Sequence, residues 1–159
     1  MSGIILSVGD DPEVEDFLAQ RIYEYNAATT GHRDAESYTA VRRGEAGIVV
    51  AGACGYTWGR CCYVQYLWVS KALRGLGVGS EVLAAVEDHA RSRQCAMVLL
   101  SSHTFQAPGF YERRGYRQVA RIEGHPAGHA AIHLAKELKP EDGQETPRRR
   151  GSSMPTWRR

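Results

Sequence analysis

No apolar run in this sequence approaches the roughly 20 residues that a membrane-spanning helix needs. The stretch Met1 to Val8 lacks the basic start of a secretory leader and turns acidic at Asp10 and Asp11, so a cytoplasmic protein is expected. Cysteine is scarce. Cys54, Cys61, Cys62 and Cys95 include an adjacent pair and no C-x-x-C spacing, which argues against a zinc or disulfide framework and leaves reduced thiols. His125, His129 and His133 would share a helix face, but Pro126 and Gly128 break any helix there, so no metal is expected. No G-K-[ST] loop and no G-x-G-x-x-G fingerprint occurs, which removes the Walker and Rossmann nucleotide sites.

An excess of one charge is missing too. The formal net charge is +2, and from Pro140 onward five arginines face three acids, so the body before it is neutral. A neutral body argues against a nucleic-acid groove and makes nucleic acid an unexpected partner. Residues 140–159, with Arg148 to Arg150 and Arg158-Arg159, are expected to be a disordered basic tail on a domain spanning 1–139.

What is present is an ordinary globular balance, 43% hydrophobic and 24% charged, in 159 residues: enough for one domain with one core. Ile4 to Val8 reads as a short strand. Asp11 and Pro12 open a helix whose Val14, Phe17, Leu18, Ile22 and Tyr25 share a face, up to about Asn26. Ala27 to Glu36 is irregular, with room for a second short helix. Three strands follow at Tyr38 to Arg42, Ile48 to Trp58 and Cys61 to Val69, joined by turns at Gly44 to Gly47 and Gly59-Arg60. The third is apolar on both faces except at Gln65 and should be central.

A helix with a buried stripe of Val78, Val82, Leu83, Val86 and Ala90 comes next, ending near Arg93. Ala96 to Leu100 is a buried parallel strand, Thr104 to Arg114 a short helix stopped by Gly115, and Tyr116 to Ile122 and Ala130 to Leu138 close the sheet. The order implies an α/β (α+β) fold: a mixed, mostly antiparallel sheet of six to seven strands with helices on both faces.

Between the central strand and its helix lies Arg74-Gly75-Leu76-Gly77-Val78-Gly79-Ser80. Alternating glycines let backbone approach a ligand, and the free amides at a helix start form an anion site suited to a pyrophosphate. Arg74 adds a positive charge at the edge. By themselves these glycines equally fit a tight strand-to-helix turn.

Arg74 to Gly79 resembles the [QR]-x-x-G-x-[GA] signature of GNAT acetyltransferases, which binds the coenzyme A pyrophosphate. Ala107-Pro108-Gly109-Phe110-Tyr111-Glu112-Arg113-Arg114-Gly115-Tyr116 resembles that superfamily's A-x-x-F-Y-x-x-x-G-[FY] motif. The two occur in the family's order, and the resemblance runs from about Ile4 to Leu138. It implies acetyl-CoA as co-substrate, no metal, and direct acetyl transfer to a primary amine.

The resemblance further implies that Leu67, Trp68 and Val69 pair by main chain with the pantetheine arm, and that Gly75 to Ser80 hold the diphosphate. Thr104, Ala107 and Phe110 border the coenzyme, and Tyr111 protonates the leaving thiolate. Tyr111 could instead be only a packed helix tyrosine. Where related sequences often carry carboxylates this chain has Gln65 and Ser101, so the base candidates are His103 and His129, with Glu123 weaker and a water chain open. The missing acids point to a small, weakly charged amine acceptor. Acylation of a protein or aminoacyl-tRNA amine, and a non-catalytic acyl-CoA-binding module, are the alternatives. A homodimer is left open.

Overall fold

The computed structural model describes residues 3–139; the expected basic tail, 140–159, lies outside them. Helix α1 (Pro12–Thr30) opens as expected, with Asp11 capping the Val14 amide at 3.2 Å and Pro12 in the first turn, and closes at Gly31 in the left-handed region. It absorbs the start of the segment read as irregular, and no second helix forms before the sheet.

The meander consists of β1 (Glu36–Arg43), β2 (Val49–Trp58) and β3 (Cys61–Val69). Helix α2 (Val78–Ser92) then crosses to β4 (Met97–His103), parallel to β3. A short α3 (Pro108–Glu112) precedes β5 (Arg117–Glu123) and β6 (Ala130–Glu137). The sheet order is β1-β2-β3-β4-β6-β5, antiparallel at every pairing except β3 with β4. Thr104 to Ala107, read as helical, form a turn instead: Pro108 fixes the first helical position, and the preceding residue is driven away from helical backbone.

One sheet face carries the core. Ala51, Ala53, Cys62, Val64, Val98, Leu100, Ile132 and Leu134 meet Val78, Val82, Leu83, Val86 and Ala90 of α2, the stripe read from the sequence. A polar tie fastens the same layer: Lys136 Nζ lies 2.8 and 2.7 Å from the two carboxylate oxygens of Glu87, and the Tyr116 hydroxyl donates to Glu87 at 3.1 Å.

The opposite face is bare, and α1, expected to cover it, stands off. Phe17 is 59% exposed and Ile22 61%, while Val41, Tyr56, Tyr66 and Trp68 of the sheet are also exposed. Ile4 to Val8 are exposed and unpaired, so the expected seventh strand is not formed and six strands are present among the described residues. Trp58 Nε1 donates to His32 O (3.1 Å), Gly59 N to Asp34 (3.2 Å) and Arg93 to Asp34 O (2.8 Å), which pins residues 32–34 to the β2–β3 hairpin and the end of α2. No helix among the described residues is long and apolar enough to cross a membrane.

Candidate active site

The site begins with a one-residue irregularity. Gly55 pairs with Val64 and Cys54 with Tyr66, so Gln65 is an extra residue in β3, and the bulge bends the strand. A side chain at Gly55 would collide with the Tyr63 carbonyl oxygen and would lie 2.8 Å from the Tyr38 hydroxyl, so only glycine lets the strands come this close. The ladder from β3 to β4 runs from Cys61–Met97 to Val64–Leu100 and stops there. Beyond it β4 pairs with none of residues 65–69, and the strands diverge.

A cleft of about 910 Å³ fills the divergence. Leu67, Trp68 and Val69 form one wall. Arg74, Gly75, Gly77, Gly79 and Ser80 form the floor, and Ala107, Phe110 and Tyr111 the other wall. Gly77 is the residue before α2, with φ +85°, and offers no capping side chain. Ser80 and Glu81 donate back to Gly77 O at 2.9 and 3.1 Å. The Val78 and Gly79 amides thus open toward solvent at a positive helix end, the arrangement that accepts a diphosphate.

Arg74 is held by its Nε–H on Val69 O at 3.0 Å, tying the loop to the end of β3. Arg114 lies over the Phe110 ring at 3.9 Å, donates to Phe110 O at 2.9 Å and meets the Ser80 hydroxyl. With Arg113 also on the lining, three arginines and no acidic residue line the cleft. The residues present therefore fit a multiply anionic ligand.

Tyr111 is largely buried, its ring edge-on to Phe110 (5.0 Å) and Tyr116 (5.9 Å). Burial holds its hydroxyl above the ordinary phenol pKa, so it is a proton donor at neutral pH. Gln65 and Ser101, the positions without carboxylates, both line the cleft. His103 sits one layer back, its Nδ1 3.2 Å from Gln106 Oε1 and its ring stacked on Phe105, which lines the cleft. The His129 ring meets Phe105 edge-on at 4.8 Å, and His125 lies 5.5 Å from His103. His103 thus meets the cleft lining at Phe105 and Gln106, and His129 at Phe105.

Three other expected coenzyme positions lie off the lining. Leu76 is exposed on the outside of the loop, and Val78 is buried in the core. Thr104 exchanges hydrogen bonds with Ala130 (N–H to O 3.0 Å; Oγ1 from N–H 3.2 Å), joining the end of β4 to the start of β6. Sequence reasoning missed Phe105, Gln106, Arg113 and Arg114. The paired arginines before Gly115 were the available signal, whereas Gln106 shows itself only through its carbonyl, which accepts from His103 N at 2.9 Å.

The sequence model of the Acetyltransferase (GNAT) family matches residues 7–116. A blasticidin-S acetyltransferase of Streptomyces morookaense is 38% identical over 107 residues, 67% of this chain and 79% of that protein. An acetyltransferase of Agrobacterium fabrum is 30% identical across 84% of this chain and 98% of its own length. A solved acetyltransferase structure from Bacillus cereus superposes with a TM-score of 0.72 at 30% identity, covering 85% of this chain and 98% of that one.

Proposed function

The chain belongs to the acetyltransferase (GNAT) family, and from that premise we propose that it moves an acetyl group from acetyl-CoA to the primary amine of a small molecule by direct attack in a ternary complex. The carrying observation is the cleft where β3 leaves β4, with an uncapped α2 start at its floor and the protonated Tyr111 on its wall.

The Val78 and Gly79 amides, with Arg74 and Arg114, hold the diphosphate, and the main chain of 67–69, which β4 leaves unpaired, pairs with the pantetheine arm. A neutral amine adds to the thioester carbon, forming the C–N bond and an oxyanion that the Val69 amide region stabilises. Collapse breaks the C–S bond, the Tyr111 hydroxyl gives its proton to the thiolate, and the ammonium proton leaves through water. His103 and His129, behind Phe105, are the acceptors for that relay.

A small acceptor of low positive charge is supported by a lining without carboxylates and by Tyr66, Trp68 and Phe105, which offer apolar surface to a flat substituent. The relative named for blasticidin-S supports the same class. The reaction is assigned to the cytoplasm, in keeping with four free thiols. The test is an amine panel with acetyl-CoA, following free thiol. Turnover of singly charged or aromatic amines is expected, and a preference for polyamines would overturn the acceptor class.

A further inference from the structure

The turn that leads from β4 toward α3 is closed twice by the same two residues. Gln106 N donates to His103 O at 2.8 Å, and His103 N donates back to Gln106 Oε1 at 2.9 Å. A main-chain N–H can bond only to an acceptor, so the second bond fixes which end of the Gln106 amide is oxygen. Two further groups gather on that oxygen: Ser102 Oγ at 3.4 Å and His103 Nδ1 at 3.2 Å. The turn is also fastened to β6, with Thr104 N donating to Ala130 O at 3.0 Å and Ala130 N to Thr104 Oγ1 at 3.2 Å.

With its oxygen engaged at the end of β4, Gln106 has one polar group left. Its Nε2 has no partner among the described residues, and the residue lines the cleft. An amide held in this way is a fixed donor that a guest need not order. Its place is away from the diphosphate floor, which adjoins the Phe110 end of the wall through Gly79 and the Ser80–Arg114 contact. Gln65 and Ser101, the first residues past the last β3–β4 pair, line the cleft together with Gln106. Beside them the Phe105 ring is 55% exposed.

We propose that Gln106 selects the acceptor: its side-chain N–H donates to a carbonyl or carboxylate oxygen of the amine substrate, whose flat part lies on Phe105. This rests on the acetyl-transfer reading and narrows it to amines that carry such an oxygen close to the nitrogen. A substrate without the oxygen would strip water from the donor and return no bond, so it is discriminated against. An acidic substituent is accepted as readily as a neutral one, because arginines and no acidic residue line the cleft.

Matched amines on the full chain test the selection. Phenylalaninamide and phenylalanine carry the oxygen, whereas phenethylamine has hydrogen in place of that group. With acetyl-CoA, kcat/KM for the first two should exceed that for phenethylamine by about 10-fold, mainly through KM. Basicity also differs across the series, so the deciding quantity is the change in this preference on substitution. Gln106→Glu keeps an oxygen for His103 N and Ser102 but exchanges the amide donor for a carboxylate. It should erase the preference for phenylalaninamide and reverse that for phenylalanine, whose carboxylate it repels.

A second readout needs neither a folded variant nor turnover. In the unaltered protein with coenzyme A, the NMR signal of the Gln106 side-chain amide should shift on adding phenylalaninamide and stay in place with phenethylamine. An unchanged preference in Gln106→Glu, a best amine without such an oxygen, a matching loss of coenzyme affinity in the variant, or a signal indifferent to phenylalaninamide would each overturn the proposal. Thiol release from no amine, with the signal still moving, would instead remove the acetyl-transfer reading and leave the recognition standing.

Discussion

In the proposed mechanism Tyr111 is the residue on which the chemistry turns. Replacing it with Phe keeps the rings packed against Phe110 and Tyr116 and removes only the hydroxyl. We expect kcat to fall about 10- to 100-fold while coenzyme binding, read by calorimetry, stays within about twofold. An unchanged kcat would assign thiolate protonation to solvent. Gly77→Glu should abolish coenzyme binding, since it forces a side chain into φ +85° and sets a negative charge at the diphosphate site. At this scale the sequence was readable where a motif fixes a position, and Gly77, Gly79 and Tyr111 do line the cleft. It was silent on Phe105 and Gln106, which reach the cleft only because a turn rather than a helix follows β4.

Among the elements, α2 and the three-stranded meander could be drawn from period and turn residues alone: β3 has the ends that its apolar run predicts. Ile4 to Val8 could not, because its composition favours a strand but names no partner edge, and the segment is exposed and unpaired. The Glu87–Lys136–Tyr116 tie was equally hidden, since an acid on the buried side of a helix reads as a flaw until its partner, 49 residues away, is known. Glu87→Leu should strip Lys136 of its counter-ion and lower stability by about 2 kcal/mol, discounted for the partial exposure of the lysine. Lys136→Met in the same background should recover part of the loss. Urea unfolding of the two variants measures both. Gly55→Ala, which meets the Tyr63 carbonyl at the bulge, should destabilise by about 3 kcal/mol or prevent folding.

For the molecule as a whole, the response to alkali follows from its buried acids. Tyr38, Tyr111 and Tyr116 are all held above the ordinary phenol pKa, chiefly by burial, and burial pushes the Cys62 thiol up to about 11 from an ordinary 9.0. Groups whose folded pKa is raised stabilise the fold fully below their unfolded pKa and lose that contribution as pH rises through the folded one. Tm should therefore be flat to about pH 9 and fall steadily above it, as differential scanning calorimetry would show. A flat profile to pH 11 would mean that these groups titrate as freely in the fold as in the open chain.

The break in the β3–β4 ladder separates two tasks in one trough. On the proposed reading, donor recognition relies on peptide groups that almost any substitution leaves intact, while the far rim is built from side chains. An engineer seeking a new acceptor should therefore vary positions 66, 68 and 105 before touching the floor, and the activated carbon source should stay the same.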